Sequence, residues 1–403
     1  MEQSFNQGLP SDLRVMSFQL RLMTIIGLIG LKNHFYRFLL AFGWGTFVIL
    51  LPKIVLGMGS TQFDIIIKGL SELLFQVNLY ASVGLLVLKL SSFKRMVLLI
   101  GDIIGQVTDN KCDSESHDLI RVQNIKVNKF AKFYFAYCSV GPLIYCVPAM
   151  ATSYVRYFSY VQSDTNVSGD AHKQLQFELA MEQEFYGLHV RTNFVHYHIF
   201  MAVSLSAYYI CSYISVIKVT TLLSAIRYSS TSHSLVKTQI RQLEQKEIVT
   251  INDIRRIVQL HEKAFRLTAL VEDMVSIPLA MQFLTCILFW CLVMFYISTN
   301  INLNLFNVMI PFGLSMIETY GYAYLASELT AEAKSVGDAV YGLPWYQDSL
   351  ELQRYYRLII QRTQCETGIT AAKFFIVGIG KFGRVVQMSY SYYLVLKDVF
   401  IKL

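Results

Sequence analysis

Seven apolar blocks divide the chain, near Phe38–Gly57, Ile65–Leu90, Ala131–Tyr154, Asn193–Ile217, Ser276–Ser298, Leu305–Ala326 and Ile369–Val399. Each is near or above the roughly 20 residues that a helix needs to cross about 30 Å of hydrocarbon. Blocks of that length predict an all-α membrane protein with seven transmembrane helices. Composition agrees, since 54% of residues are hydrophobic, 16% are charged and mean hydropathy is +0.42. Such values lie outside those of ordinary soluble domains. The first 37 residues are mixed polar and carry no secretory signal, which predicts an uncleaved N-terminus.

Orientation follows from Lys and Arg, because basic residues in short loops are retained on the cytoplasmic side. The N-terminal segment carries Arg14, Arg21, Lys32 and Arg37, and the second loop Lys94, Arg95, Lys111, Arg121, Lys126 and Lys129. The fourth loop holds bases from Lys218 to Arg266, and the sixth Lys334, Arg354, Arg357 and Arg362. By contrast the first and fifth loops hold none, and the third sets Arg156 and Lys173 among Asp164, Asp170, Glu178, Glu182 and Glu184. The pattern predicts a cytoplasmic N-terminus and an extracellular C-terminus. The sequon Asn166-Val167-Ser168 falls in the acidic third loop, on the side where a glycosylation acceptor is used, so Asn166 is the predicted glycosylation site. The formal charge of +7 then reflects loops facing anionic membrane lipid, and a nucleic-acid partner is not needed to explain it.

Seven spans with the N-terminus inside invert the topology of a G-protein-coupled receptor. No Asp/Glu-Arg-Tyr follows the third block, and no Asn-Pro-x-x-Tyr lies in the seventh. Cys138, Cys146, Cys211, Cys286 and Cys291 lie within blocks, and Cys112 and Cys365 in cytoplasmic loops, which leaves no exterior disulfide framework under this topology. A carrier is the third class considered, but the internal repeat that often marks one is not apparent.

Two cytoplasmic regions read as helices. Ile254, Ile257, Val258, His261, Phe265 and Thr268 recur at helical spacing, and Thr250 with Asp253 gives a capping-box-like start, so the fifth span is expected to extend into the cytosol. Leu350 to Cys365 reads as an amphipathic helix with Leu352, Tyr355, Tyr356, Ile359 and Ile360 on its apolar side, suited to subunit contacts or to resting on the bilayer. The closing stretch from Ala372 to Leu403 is long enough to span, yet carries Lys381, Arg384, Gln387, Ser391, Asp398 and Lys402, a polar stripe fit for a pore wall.

Within that stretch Gly378-Ile379-Gly380-Lys381-Phe382-Gly383 matches the dinucleotide pattern G-x-G-x-x-G, but without a βαβ context the glycines read as points of close helix approach. His196-Tyr197-His198 places its histidines on different helical faces, which disfavours a metal pair. No Ser/His/Asp or Cys/His constellation is discernible. The expectation is no enzyme, no cofactor and no metal.

Ala339-Val340-Tyr341, Pro344-Trp345-Tyr346, the basic helix around Arg354 and Arg357, Ala372-Lys373-Phe374-Phe375 and Ser391-Tyr392 together resemble the C-terminal signature of insect odorant receptors. Length, span number, orientation and the long fourth loop fit the same family. The related gustatory receptors usually close on Thr-Tyr-hydrophobic-Gln-Phe, from which Ser391 to Asp398 departs at the Gln-Phe positions. The resemblance implies a ligand-tuned subunit of an odorant-gated, non-selective cation channel in the plasma membrane of a sensory neuron dendrite, joined to a co-receptor in a hetero-tetramer. It implies a last helix split between a cytoplasmic anchor part and a pore-lining part. The expected organisation is a cytoplasmic segment 1–37, a ligand-binding bundle 38–330 with a helical loop near 218–275, an anchor region 331–368 and a pore helix with a short tail 369–403.

Matching Ala372-Lys373-Phe374-Phe375 and Ser391-Tyr392 without gaps places the family's extracellular gate on Val395 and Val399, one helical turn apart and sharing a face with Ser391. Hydrophobic rings close a pore by dewetting, while polar or acidic rings favour cations. Asp398 stands between the valines where the co-receptor carries an amide. The family's pocket lies among the second, third, fourth and sixth spans, and a site for small volatile apolar ligands is concave, aromatic-lined and sparing in polar groups. The outer ends of those spans offer Phe75, with Gln76 beside it; Tyr145, Met150 and Tyr154; Tyr197, His198 and Met201; and Phe312, Met316 and Tyr320. Glu72 and Glu318 are intramembrane acids, functional candidates by default, with Lys68 one turn before Glu72 as its expected partner.

Overall fold

In hydrocarbon a backbone must satisfy its own polar groups, and apolar runs of this length do so as helices. The computed structural model describes residues 10, 13–30, 34–57, 62–108, 114–164, 176–246, 248–300 and 305–401. Its helices are α1 (Ser17–Ile26), α2 (Phe35–Gly45), α3 (Leu51–Val55), α4 (Phe63–Leu88), α5 (Leu90–Thr108), α6 (Ser114–Asp164), α7 (Phe194–Glu244), α8 (Ile251–Thr299), α9 (Leu305–Tyr341), α10 (Leu350–Gln364) and α11 (Ile379–Ile401). A π-helical turn, Thr46–Leu50, joins α2 to α3.

Among the described residues, five helical segments are long and apolar enough to cross a membrane: Phe35–Val55, α4, and parts or all of α6, α7 and α8. The sixth and seventh apolar blocks become α9 and α11. Their apolar content is lowered by Asn307, Ser315, Glu318 and Thr319 in α9, and by Lys381, Arg384 and Gln387 in α11. Helices α6 and α7 have 51 residues each and α8 has 49. At 1.5 Å per residue they run about 75 Å, more than twice the hydrocarbon thickness, and therefore project well beyond it.

The projecting halves form a base. Thr250 and Asp253 make a full capping box at the start of α8, so the expected extension of the fifth span is present as one helix with it. α7 is buried on every face from Ile214 to Ile226, which marks it as the central element of the base. The N-terminal segment also belongs here, contrary to a reading of it as merely polar. Leu13, Val15, Met16, Leu20 and Met23 are fully buried, and Gln19 Nε2 donates to Ser224 Oγ of α7 at 2.9 Å.

One expectation is corrected. The helix does not begin at Ile369: Thr370–Ala371 (β1) and Phe375–Ile376 (β2) pair antiparallel, with Thr370 opposite Ile376 and Ala371 opposite Phe375. Between them Ala372 and Lys373 have φ of 46° and 63°, and two successive left-handed residues make a hairpin turn that no helix can continue through. The Ala372 N–H donates to the Ser276 carbonyl at 3.0 Å, tying the ribbon to α8.

Candidate functional site

A cavity of about 740 Å³, counting its mouth, opens between α4, α6, α7 and α9. Each helix contributes a stripe at helical spacing: Glu72, Phe75, Gln76 and Leu79 from α4; Tyr137, Cys138, Gly141, Pro142 and Tyr145 from α6; Tyr208, Cys211, Ser212 and Ser215 from α7; Ile310, Pro311 and Leu314 from α9. Met181, from the segment between α6 and α7, completes the wall. Most of these groups are apolar or aromatic, and Tyr145 meets Tyr208 edge to face at 5.3 Å. Such a lining suits a small apolar ligand held by dispersion with few polar contacts.

The segment 176–193 folds back over the end of the bundle where α6 stops and α7 starts. Leu179, Ala180, Met181, Glu182 and Gln183 are all buried, and the π-helical turn supplies anchorage. Its Val48 carbonyl accepts from Gln183 Nε2 at 3.1 Å, and its Phe47 carbonyl from the Tyr186 hydroxyl at 2.6 Å.

Under this lid lies a buried charge cluster. Lys53 Nζ is 2.5 Å from Glu72 Oε2, Tyr145 donates to Glu72 Oε1 at 3.0 Å, and the Glu182 backbone N–H donates to Glu72 Oε2 at 3.2 Å. Lys68 Nζ reaches Glu182 Oε1 at 3.0 Å and Arg191 reaches Glu182 Oε2 at 2.6 Å. The expected Lys68–Glu72 pairing is thus corrected, because the docked loop takes Lys68 for Glu182 and leaves Glu72 to Lys53. Burial alone would raise the Glu182 carboxyl, but Lys68 and Arg191 outweigh it and hold the group below its usual value.

A second cluster lies deeper. Lys218 Nζ is 2.5 Å from Glu318 Oε1 and donates to Gln282 Oε1 at 3.2 Å, which also accepts from Asn78 Nδ2 at 2.5 Å. Gln282 Nε2 reaches Thr319 at 3.0 Å, and Tyr322 donates to Glu318 at 2.9 Å. This network ties α4, α7, α8 and α9 together.

Of the candidate ligand residues, Phe75 and Tyr145 line the cavity. Tyr154 and His198 bond each other at 2.6 Å, and because His198 Nδ1 donates to the Phe194 carbonyl at 2.7 Å, its Nε2 accepts the hydrogen bond from the Tyr154 hydroxyl. Tyr197 is buried and stacks on Phe177 of the lid at 4.9 Å. Met201 is buried, and Met150 and Met316 pack on the core. Phe312 meets Trp290 edge to face at 6.2 Å, and Tyr320 lines a separate cleft with Gly321 and Tyr324. Tyr137, Cys138, Gly141, Tyr208, Cys211, Ser212 and Ser215 escaped the sequence reading because the cavity sits further along α6 and α7 than the ends that reading chose, and Met181 because it comes from the docked segment between those helices. The spacing of Tyr208, Cys211, Ser212 and Ser215 was the available signal.

On α11, the Ser391 hydroxyl donates to the Gln387 carbonyl at 3.0 Å, while Val395 and Val399 are 61% and 51% exposed in the single chain. Asp398 is exposed beside them. Gly378 approaches α9 closely, since a Cβ there would sit 2.9 Å from Ser327 Oγ, whereas Gly380 and Gly383 face open space. Asn166 and Lys402 lie outside the described residues.

A sequence model of the 7tm odorant receptor family matches residues 64–390. The odorant receptor coreceptor of Drosophila melanogaster is 25% identical over 155 residues, 38% of this chain and 32% of that protein. Odorant receptor 67c of the same fly is 26% identical over 144 residues, 36% of each chain. These alignments span about a third of the length of the relatives. The solved structure of the insect olfactory receptor OR5 from Machilis hrabei in complex with eugenol shares the fold, with a TM-score of 0.77 at 13% identity, covering 97% of this chain and 100% of that one.

Proposed function

The chain belongs to the 7tm odorant receptor family, and from that membership we propose that it is the ligand-tuned subunit of an odorant-gated, non-selective cation channel. The cavity between α4, α6, α7 and α9 carries this reading, as an apolar, aromatic-lined chamber buried in the bundle with a loop seated over its outer end. A small volatile ligand that fits the open arrangement better than the closed one shifts the equilibrium by its differential affinity.

In this reading seven helical segments cross the plasma membrane, with the N-terminus cytoplasmic and the C-terminus extracellular. The lid and Asn166 then face outside. The subunit joins a co-receptor in a hetero-tetramer. Ser391, Val395, Asp398 and Val399 of each chain face a shared pore, and the exposure of both valines in the single chain supports that placement. The base supplies subunit contacts, consistent with exposed Leu350, Leu358 and Phe374. Two-electrode recording from cells expressing this chain, with and without the co-receptor, tests the reading against a panel of volatiles. Ligand-evoked cation currents are expected only from the pair. An extracellular N-terminal epitope on intact cells would sink the topology, and unchanged calcium permeability in Asp398→Asn would remove that carboxylate from the ion path.

A further inference from the structure

The cavity wall holds a hydrogen-bond acceptor with no donor. Gln76 follows Glu72 by one helical turn on the same stripe of α4, its residue is 7% exposed, and its Oε1 is buried without a hydrogen-bond partner among the described residues. Glu72 and Tyr145 are already committed: Tyr145 gives its only proton to Glu72, which also takes Lys53 and the Glu182 N–H. A buried amide oxygen left unpaired is costly, and an apolar side chain of the same length would fill this wall without that cost.

The surroundings define the missing donor. Phe75, Leu79, Pro311 and Leu314 give the rest of the ligand an apolar bed. Glu72 is neutralised by Lys53, so the wall offers no free negative charge to hold a cation. We infer that Gln76 is a specificity-determining residue of this cavity, selecting neutral ligands with an apolar body and one hydroxyl, alcohols or phenols, over the ether or hydrocarbon of the same shape. The hydroxyl donates to Gln76 Oε1, a bond that an ether oxygen, having no proton to give, cannot make. The inference rests on the cavity being the ligand site.

The test uses the full chain co-expressed with the co-receptor, and a length series of straight-chain alcohols, each paired with its methyl ether. Phenol–anisole pairs extend the set. In the native chain the hydroxyl member is expected to be about tenfold to a hundredfold more potent than its ether. Gln76→Met, which keeps length and removes the amide, brings that ratio close to one. The ratio is read within each variant, so altered expression does not enter it. Should Gln76→Met fail to reach the surface, Gln76→Asn, which withdraws the amide by one methylene, must still lower the ratio. Equal potency within pairs in the native chain, or an unchanged ratio in the variants, overturns the inference and leaves the receptor reading intact. Silence of surface-expressed complexes toward this panel overturns the inference alone, and only silence toward the wider panel of volatiles overturns the receptor reading as well.

Discussion

The cavity half of the bundle and the base are built from the same long helices, yet they solve packing in opposite ways. Around the cavity the helices stand apart, and charges, aromatic rings and an inserted loop fill the gap. In the base they close on one another, with small and hydroxylated side chains such as Ser224, Ala225, Ser229 and Ser230 buried between them. A ligand therefore finds room in the first and a displacement is passed on through the second. A chamber lined by adaptable side chains can change shape at little cost, whereas a close-packed base moves only as a unit. The network around Gln282, Lys218 and Glu318 sits between the two and touches four helices.

Several substitutions sharpen or break that contrast. The largest effects belong to the buried ion pairs. Glu318→Ala strands Lys218, and Glu72→Ala strands Lys53, each expected to destabilise by about 3–5 kcal/mol. Thermal unfolding of the detergent-solubilised receptor and surface expression would record it. The paired change Lys53→Met with Glu72→Leu should recover most of the loss, because no charge is left uncompensated. If Glu318→Ala were silent, the middle network would not be the tie between the halves.

Overpacking separates the halves next. In the base a Cβ on Gly337 would overlap Thr363 Oγ1, so Gly337→Ala either turns that hydroxyl off the Ile360 carbonyl or spreads α9 from α10, at about 1–3 kcal/mol. In the cavity Gly141 faces open space, and Gly141→Ala should leave stability within about 0.5 kcal/mol. Its effect should appear instead as a roughly tenfold shift of potency toward shorter ligands. Equal thermal losses at the two glycines would erase the proposed contrast in packing.

The smallest expected effect is a pH response of the lid. The Glu182 carboxyl is held below its ordinary value in the folded state, so its contribution is fully present above the unfolded carboxylate pKa of about 4.3 and is lost as pH falls through the lowered value. Proteolytic protection of segment 176–193 should stay flat from about pH 7 to 5 and decline only in stronger acid. Glu182→Gln should remove that acid step. A decline already near neutrality would assign the lid's stability to some other group.

Much of the architecture was legible from local pattern. The capping box at Thr250, the amphipathic run that became α10 and the first five apolar blocks all depend on residues close in sequence, where spacing and composition suffice. The ribbon at Thr370–Ile376 was not, because the same apolar residues serve a helix or a buried turn, and the choice followed from docking on α8. Phe75 and Tyr145 were read as cavity candidates from the outer ends of their blocks, while Tyr208, Cys211, Ser212 and Ser215 lay deeper than orientation alone could point.

The sequence by itself determined that this chain is a helical membrane protein and carried enough of the odorant receptor pattern to be recognised, since hydrophobicity summed over about 20 neighbours is a local property. Only the tertiary structure decided which acid meets which base. Lys53 of α3 finds Glu72 of α4 across 19 residues, and Lys68 finds Glu182 across 114, the latter because a loop buries itself over the bundle.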